Sequence, residues 1–231
     1  MQFIEKQNIQ PPDWDKWFTT GSGQRSFDYG KDYSSLRNIG NAKKFLIDEQ
    51  HELCAYCQKI ITIENSSIEH IIPKEHNKVL STNYHNLVAV CKVQSKEEGT
   101  DRYHCDKEKL SNLISPIIFV KNSDVSTGSN NRYFLAGSDG TINAKDKLPT
   151  EIRQITESFI EVLNLNHKTL KENRVKDVLN GLIAAYQSIP RTNKQGKKAF
   201  WKLQFDRILL NKKQPFRQFL LIYIGSKIGI N

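Results

Sequence analysis

The sequence lacks any long hydrophobic run, and this absence excludes an integral membrane protein of the helical kind. Its apolar stretches are short, such as LLIYIG near the C-terminus, whereas a membrane-spanning helix needs about 20 consecutive apolar residues. The opening stretch, MQFIEKQNIQPPDWD, contains no apolar segment of the kind that secretory signals carry. We therefore expect a cytoplasmic protein.

Cysteine is scarce, with 4 residues in a chain of 231. Cytoplasmic thiols stay reduced, so these cysteines are more typical of metal ligands or buried thiols than of disulfides. The chain also lacks internal repeats and low-complexity tracts, which excludes a repeat architecture. A content of 38% hydrophobic and 26% charged residues is that of an ordinary globular protein, with one elaborated domain or two small ones.

Acidic residues are few in the last third of the chain. Residues 141–231 contain 17 Lys and Arg against 7 Asp and Glu, whereas residues 1–140 contain 17 against 18. The excess positive charge, +9 for the whole chain, therefore lies in one segment. Such asymmetry indicates an anionic partner, most often nucleic acid, although a solvated lysine-rich face has the same composition.

The hydrophobic pattern predicts an α+β protein with a mixed centre. An irregular arm is expected over residues 1–32 and a helix within residues 33–53. The segments SSIEHIIP and NLVAV are typical of short strands, and DKEKLSNLI of a short helix.

The remainder of the chain is predicted to be a loop, a hairpin and then helices. Residues 121–131 have loop composition, and RYFLAGSDGTINA is typical of a hairpin that turns at Ser138-Asp139-Gly140. From Pro149 onward the apolar residues recur with helical spacing. The predicted helices are EIRQITESFIEVLNL, LKENRVKDVLNGLIAAYQSI, KKAFWKLQFDRILL and FRQFLLIYI.

All four cysteines can be assigned to one metal site. The stretch CAYC places two sulfur atoms at the separation of a tetrahedral zinc site, although a cytosolic pair of this kind is also consistent with a buried or redox-active pair. A metal can close the long loop between the other two cysteines. The sequence favours a structural zinc ion, with His104 or His51 as competing ligands. The proposed ligands are Cys54, Cys57, Cys91 and Cys105.

The stretch IEHIIPK places a carboxylate beside an imidazole. Glu69 and His70 are adjacent, so on a strand they point to opposite faces, and a bend there allows one to bind a metal while the other acts on a substrate. A single histidine on an apolar strand is more often a hydrogen-bonded core residue, but a buried carboxylate beside it also needs a partner. Asn86 begins the strand that ends at Cys91, and Asp106 directly follows Cys105.

Four motifs in register carry a family resemblance. Cys-x-x-Cys, Glu-His-Ile-x-Pro, Asn-Leu-x-x-x-Cys and Cys-Asp-x-x-Lys, in this order, resemble an HNH endonuclease of the zinc-stapled type. The resemblance implies a ββα-metal core with a four-cysteine zinc staple, an N-terminal arm and a helical C-terminal region. We expect the arm and its helix at 1–50, the nuclease core at 51–120, and the hairpin with the basic helices at 121–231.

The resemblance implies a role for each site residue. His70 matches the general base, and Glu69 matches the acidic metal ligand before it. Asn86 matches the asparagine that fixes the loop and orients the base. Asp106 occupies the position of the family's final histidine, and this harder oxygen ligand suits Mg²⁺ or Mn²⁺ better than zinc.

The wider match concerns partners. NYHNLVAVC, HCDKEK, RYFLAGSDGTI and IEVLNLNHKTLKENR resemble the PtuB-like HNH proteins, the nuclease partners of an ATPase in Septu and retron-associated phage defence. This implies phosphodiester hydrolysis that leaves 5′-phosphate and 3′-hydroxyl ends, with DNA favoured as the substrate and RNA such as tRNA as the other candidate. An ATPase, and a retron reverse transcriptase with its DNA, are the implied partners. The rival interpretation is a zinc-stapled binding or scaffold subunit without catalysis.

Basic residues near the C-terminus are the candidates for contacts with nucleic acid or a partner: Lys194, Lys197, Lys198, Lys202, Arg207, Lys212 and Lys213. Aromatic residues alternate with them, and Trp201, Phe205 and Ile208 share one helical face, which is equally consistent with a core position. Lys107 and Lys109 either touch a neighbouring phosphate or are exposed on a solvated helix.

Overall fold

The computed structural model describes residues 4, 6, 10–19, 38–94, 96, 98–99, 102–115 and 133–230. The loop expected at 121–131 and most of the arm expected at 1–32 lie outside these residues. The strands are β1 (Ser66–His70), β2 (Leu87–Cys91), β3 (Phe134–Ala136) and β4 (Ile142–Ala144). The helices are α1 (Trp14–Trp17), α2 (Ile39–Glu49), α3 (Asp106–Lys109), α4 (Thr150–Val162), α5 (Lys168–Asn173), α6 (Asn180–Gln187), α7 (Lys194–Leu210) and α8 (Arg217–Ile228).

Helices and small sheets occur together, so the α+β class is confirmed. The described strands pair into two antiparallel two-stranded sheets, β1 with β2 and β3 with β4. None of the helices in the described part of the chain is long and apolar enough to cross a membrane.

The first sheet consists of the two strands that the sequence predicted. Its register places Glu69 opposite Val88 and His70 opposite Leu87. All five residues of β2 are buried. On the edge of β2 that does not pair with β1, the Gln50 side chain forms hydrogen bonds with the strand backbone. The amide of Gln50 donates to the Ala89 carbonyl at 2.7 Å and accepts the Ala89 N–H at 2.7 Å. This pairing satisfies backbone groups that would otherwise be buried without partners.

The helix expected within residues 33–53 is shorter than its pattern suggested. Residues 33–37 lie outside the described part of the chain, and α2 occupies Ile39–Glu49. His51 and Glu52 then have φ of 57° and 63°. These angles are incompatible with a right-handed helix, so the chain turns there towards the first two cysteines.

Helix α3 is also shorter than DKEKLSNLI predicted, because non-glycine residues with positive φ flank both of its ends. Cys105 precedes the helix with φ 57° and ψ −137°, and Leu110 follows it with φ 51° and ψ −128°. Helix α3 therefore contains only four residues. The backbone angles of Cys105 determine where the helix begins, and with it the position of its first residue, Asp106.

The predicted hairpin is present, with Phe134 opposite Ala144. Its turn closes with a Gly137 N–H donated to the Thr141 carbonyl at 2.9 Å. Asp139 Oδ1 accepts the Thr141 N–H at 3.1 Å, which is the local side-chain bond typical of Asp in turns.

The C-terminal third is helical, as predicted. A six-residue π-helical segment, Arg174–Leu179, joins α5 to α6. Helix α7 buries Trp201, Phe205 and Ile208 and packs against α8. The core position for these aromatic residues is therefore confirmed. Within the described residues, one hydrophobic cluster includes α8 and all four cysteines, so the helical region and the cysteine site share a core.

Candidate functional site

The four cysteines converge at one buried point. Their sulfur atoms all lie within 4.8 Å of one another, and all four thiols are free. The Cys57 and Cys91 sulfurs are 3.7 Å apart, and Cys54 Sγ accepts the Cys91 N–H at 3.3 Å. Soft thiolate ligands in a closed group of four are typical of structural zinc. The group could hold a metal ion such as zinc.

The backbone around the first two cysteines forms a tight knuckle. The Cys54 N–H donates to the Lys59 carbonyl at 2.9 Å, and the Gln58 N–H donates to the Cys54 carbonyl at 3.0 Å. Gln58 has φ 65°, a strained value for a non-glycine residue. Burial raises the pKa of the Cys105 thiol well above its ordinary value, and a dipositive ion reverses this effect by stabilising the thiolate.

Neither histidine that competed for this site belongs to it. In the part of the chain that is described, the group whose ligand atoms all lie within 4.8 Å consists of cysteines alone. His104 is adjacent, with Nδ1 at 3.1 Å from Cys105 Sγ. Burial lowers the pKa of His104 to about 4, so its imidazole is neutral and can donate to a thiolate.

A pair of carboxylates lies where β1 meets α3. The Glu69 side chain is buried and interacts directly with that of Asp106. Burial raises the pKa of Glu69 to about 8, the Asp106 charge adds to this effect, and Lys109 opposes it. The Tyr56 hydroxyl donates to Glu69 Oε1 at 3.3 Å. Tyr56 lies between the first two cysteines, so the knuckle itself contacts the carboxylate pair.

Lys109 is the residue whose position the sequence predicted wrongly. It is not exposed on a solvated helix but fully buried. Its Nζ lies 2.8 Å from Glu69 Oε1 and donates to the His70 carbonyl at 3.0 Å. Lys107, two residues earlier, is exposed, with its Nζ 4.4 Å from the centre of the Tyr103 ring. The one sequence signal for this difference is that Lys109 ends the Cys-Asp-x-x-Lys motif.

His70 is buried at the end of β1, and one backbone contact defines its tautomer. Its Nε2 lies 2.9 Å from the Ser81 carbonyl oxygen. A carbonyl only accepts, so Nε2 carries the proton and Nδ1 does not. Burial lowers the pKa of His70, which keeps the imidazole neutral near pH 7.

Asn86 braces the loop that leads away from His70. Its Oδ1 accepts the Ile72 N–H at 2.8 Å, and its Nδ2 donates to the carbonyls of Ile72 at 3.0 Å and Leu80 at 3.2 Å. Leu80 directly precedes Ser81, whose carbonyl holds the imidazole. Asn86 therefore joins the backbone of Ile72 to that of Leu80, next to the residue whose carbonyl contacts the His70 imidazole.

The carboxylate pair fits a hard divalent cation with few protein ligands. Outside the cysteines, no group of three His, Cys, Asp or Glu ligand atoms within 4.8 Å occurs in the described residues. His70 therefore does not join Glu69 and Asp106 as a third ligand. Mg²⁺ is often bound by one or two carboxylates, with water and substrate phosphates as its other ligands, and this donor set matches that pattern.

The basic residues predicted to contact an anionic partner have different surroundings. Lys194, Lys198, Lys202, Arg207 and Lys212 are exposed. Lys197 is half-buried, with its Nζ 4.8 Å from the centre of the Tyr186 ring. Lys213 is exposed and forms an ion pair with Glu52.

A groove of about 470 Å³, lined by Lys198, Lys202, Phe205 and Ile228 among others, runs beside α7.

Comparison of the chain with known proteins tests its resemblance to HNH nucleases. No protein-family model matches the chain. The chain is 26% identical over 151 residues to a Vibrio cholerae serotype O1 biovar El Tor protein described as "Retron Vc95 putative HNH endonuclease". The match covers 62% of this chain and 68% of the relative. This similarity supports the HNH resemblance at the level of the nuclease family.

Proposed function

We propose that this protein is a metal-dependent HNH endonuclease that hydrolyses phosphodiester bonds of nucleic acid, with DNA favoured over RNA such as tRNA. One observation carries the proposal: β1 ends with a buried carboxylate that meets Asp106, followed directly by an imidazole that burial keeps neutral and whose Nε2 contacts the Ser81 carbonyl. A core histidine would not need an adjacent carboxylate pair. The similarity to a described HNH endonuclease supports the same assignment.

His70 acts as the general base. A neutral imidazole with an unprotonated Nδ1 takes a proton from the attacking water. The Ser81 carbonyl accepts a hydrogen bond from the Nε2–H throughout and stabilises the imidazolium that forms. Asn86 contributes by fixing Leu80, and with it Ser81. We assign Asn86 as a positioning residue for this base.

Glu69 and Asp106 bind Mg²⁺ or Mn²⁺. Such an ion supplies Lewis-acid stabilisation of the charge that develops on the phosphate and the leaving oxygen. Burial, and after it the neighbouring Asp106 charge, raises the pKa of Glu69. A divalent cation held by both carboxylates would favour their ionised forms. Lys109 holds Glu69 in place from the other side.

The four cysteines hold a structural zinc ion, and we assign the nuclease core to residues 51–120. The zinc contributes folding free energy directly. It also orients the site, because Cys105 immediately precedes Asp106 and its backbone defines the start of α3.

The protein functions in anti-phage defence in this proposal, as the nuclease subunit beside an ATPase and, in a retron, a reverse transcriptase with its DNA. The retron named in the relative's description supports this setting. The exposed basic residues around α7 contact nucleic acid or the partner protein.

Cleavage by the purified protein tests the function. DNA and RNA are incubated with the protein in Mg²⁺ or Mn²⁺, with and without the proposed ATPase partner. The wild type should cleave in at least one condition. His70→Ala should lower the rate by about 10²–10⁴-fold, the usual loss when a general base is removed. His85→Ala, which changes an exposed histidine in the same region, should cleave like the wild type.

Two outcomes contradict the proposal. If His70→Ala cleaves at the wild-type rate, His70 is not the base. If the wild type binds nucleic acid but cleaves none in any condition, the binding or scaffold subunit becomes the better interpretation.

A further inference from the structure

Arg174 is a buried cation without a matching anion among its hydrogen-bond partners. It begins the π-helical segment and is 1% exposed. Its Nη1 donates to the Gly140 carbonyl at 2.8 Å. Its Nε and Nη2 atoms are buried and donate to no acceptor in the described part of the chain. Arginine stays charged in proteins, and a buried charge needs a compensating charge nearby.

The four-cysteine site lies close to this guanidinium. Arg174 Cζ is 5.9 Å from the centre of the Phe216 ring and 5.5 Å from that of Phe219. The Phe216 N–H donates to the Gln58 carbonyl at 3.0 Å, and Gln58 directly follows Cys57. Burial lowers the pKa of Arg174 to about 10, and negative charge on Cys57 and Cys105 opposes this lowering.

A loaded cysteine site would supply the missing charge. Four thiolates around one dipositive ion have a net charge of −2, in a cluster whose sulfur ligands are buried. Lys59 also lies near this site, but its side chain is only half-buried. Of these two cations, solvent therefore screens the fully buried guanidinium less.

We propose that Arg174 is the buried counter-charge of the four-cysteine metal site. Its charge stabilises the dianionic metal–thiolate cluster, and the cluster in turn offsets the burial of the guanidinium. Arg174 belongs to the helical C-terminal region, so metal binding and the packing of that region depend on each other. The inference rests on the zinc part of the proposed function and not on cleavage.

Zinc affinity tests this directly. The wild type is first shown by elemental analysis to hold about one zinc per chain, and zinc affinity is then measured by competition with a chromogenic chelator. Arg174→Met removes the charge and should weaken zinc binding by about 10–100-fold, the usual loss for a residue that supports metal ligands. Arg174→Lys keeps the charge and should stay within fivefold of the wild type.

Arg217→Met is the matched control. Arg217 is also a buried arginine, 8% exposed, but its guanidinium donates to the carbonyls of Ile208 at 3.1 Å and Leu209 at 2.6 Å. Burial alone lowers its pKa, with no contribution from a cysteine. This variant should be less stable and yet bind zinc within fivefold of the wild type.

Each remaining outcome overturns or supports the inference. Wild-type affinity in Arg174→Met overturns it, and so does a loss in Arg174→Lys or Arg217→Met equal to that in Arg174→Met. If Arg174→Met does not fold, Arg174→Lys decides: a loss within fivefold supports the counter-charge, and a larger loss overturns it. A wild type without zinc overturns the inference together with the zinc assignment, whereas a zinc-loaded protein that cleaves nothing contradicts only the nuclease proposal.

Discussion

A single ammonium group, that of Lys109, accounts for how the buried carboxyl group of Glu69 and the half-buried one of Asp106 coexist beside His70. Glu69 is 7% exposed and Lys109 is 0% exposed, so water screens neither charge. When Glu69 is ionised, the ion pair between them leaves one surplus negative charge shared with Asp106. That surplus negative charge favours the binding of a divalent cation beside Glu69 and Asp106. It also explains why Lys109, in the helix that follows Cys105, is buried.

Lys109→Met should lower the free energy of unfolding by about 3 kcal/mol, because removing one partner of a buried ion pair leaves the other charge uncompensated. The loss should not be larger, since Glu69, with its pKa raised to about 8, can take up a proton. Urea denaturation of the two proteins measures the difference.

The control for this variant is Lys107→Met. The Lys107 side chain is exposed and its ammonium group lies over the Tyr103 ring, so its removal should change stability by less than about 1 kcal/mol. Equal stabilities for wild type and Lys109→Met would show that the ion pair contributes nothing.

Among the secondary-structure elements, the turn of the β3–β4 hairpin lies very close to the backbone of helix α5. Gly140 in its turn has φ +84°, and a Cβ placed there would lie 2.4 Å from the Lys171 carbonyl oxygen in α5. The Gly140 carbonyl also accepts a hydrogen bond from the Arg174 guanidinium. A side chain at this position would therefore strain the turn and separate the hairpin from the helices.

Gly140→Ala should destabilise the protein by about 2–4 kcal/mol, since it combines a left-handed backbone angle with a steric overlap against backbone. Thermal or urea unfolding measures this. Gly181→Ala is the matched control: Gly181 lies within α6 with nothing within 4 Å of the added Cβ, so alanine should stabilise by about 0.5–1 kcal/mol. Similar effects for the two substitutions would contradict the assigned turn conformation.

Over the whole molecule, charge and core are separated along α7. Its aromatic side chains Trp201 and Phe205 face the interior, while Lys198 and Lys202 are exposed. The positive charge of these α7 lysines therefore lies outside the hydrophobic cluster. This leaves the basic side chains available to an anionic partner.

Changing Lys197, Lys198 and Lys202 together to Ala should weaken nucleic-acid binding for all sequences. It should also reduce the log–log salt slope by about one unit for each phosphate that the variant no longer neutralises. Binding is measured by fluorescence anisotropy over a range of salt concentrations. The matched control, Lys16, Lys44 and Lys147 to Ala, removes the same charge elsewhere and should leave the slope nearly unchanged.

An unchanged slope in the α7 variant would contradict the nucleic-acid assignment for α7. Loss of co-purification with the ATPase in that variant would then assign the surface to the partner. If the α7 variant behaves like the wild type in both assays, these lysines form a solvated surface without a binding role.

The sequence by itself determined the α+β class, the first sheet, the hairpin and the helical C-terminal third, because periodicity and turn residues are local properties. It also marked the four cysteines, whose sulfur atoms the structure brings together. The catalytic roles of His70 and Asn86, and the metal-binding roles of Glu69 and Asp106, stay predictions for the experiments above.

Only the tertiary structure decided which charged residues are buried. Lys109 and Arg174 look like ordinary surface residues in the sequence, yet their partners are Glu69, 40 residues away, and Gly140, 34 residues away. The short length of α3 was equally hidden, because positive φ at Cys105 and Leu110 has no signature in residue type. Burial and backbone strain depend on what distant segments pack against a residue, and residue patterns within one segment do not contain that information.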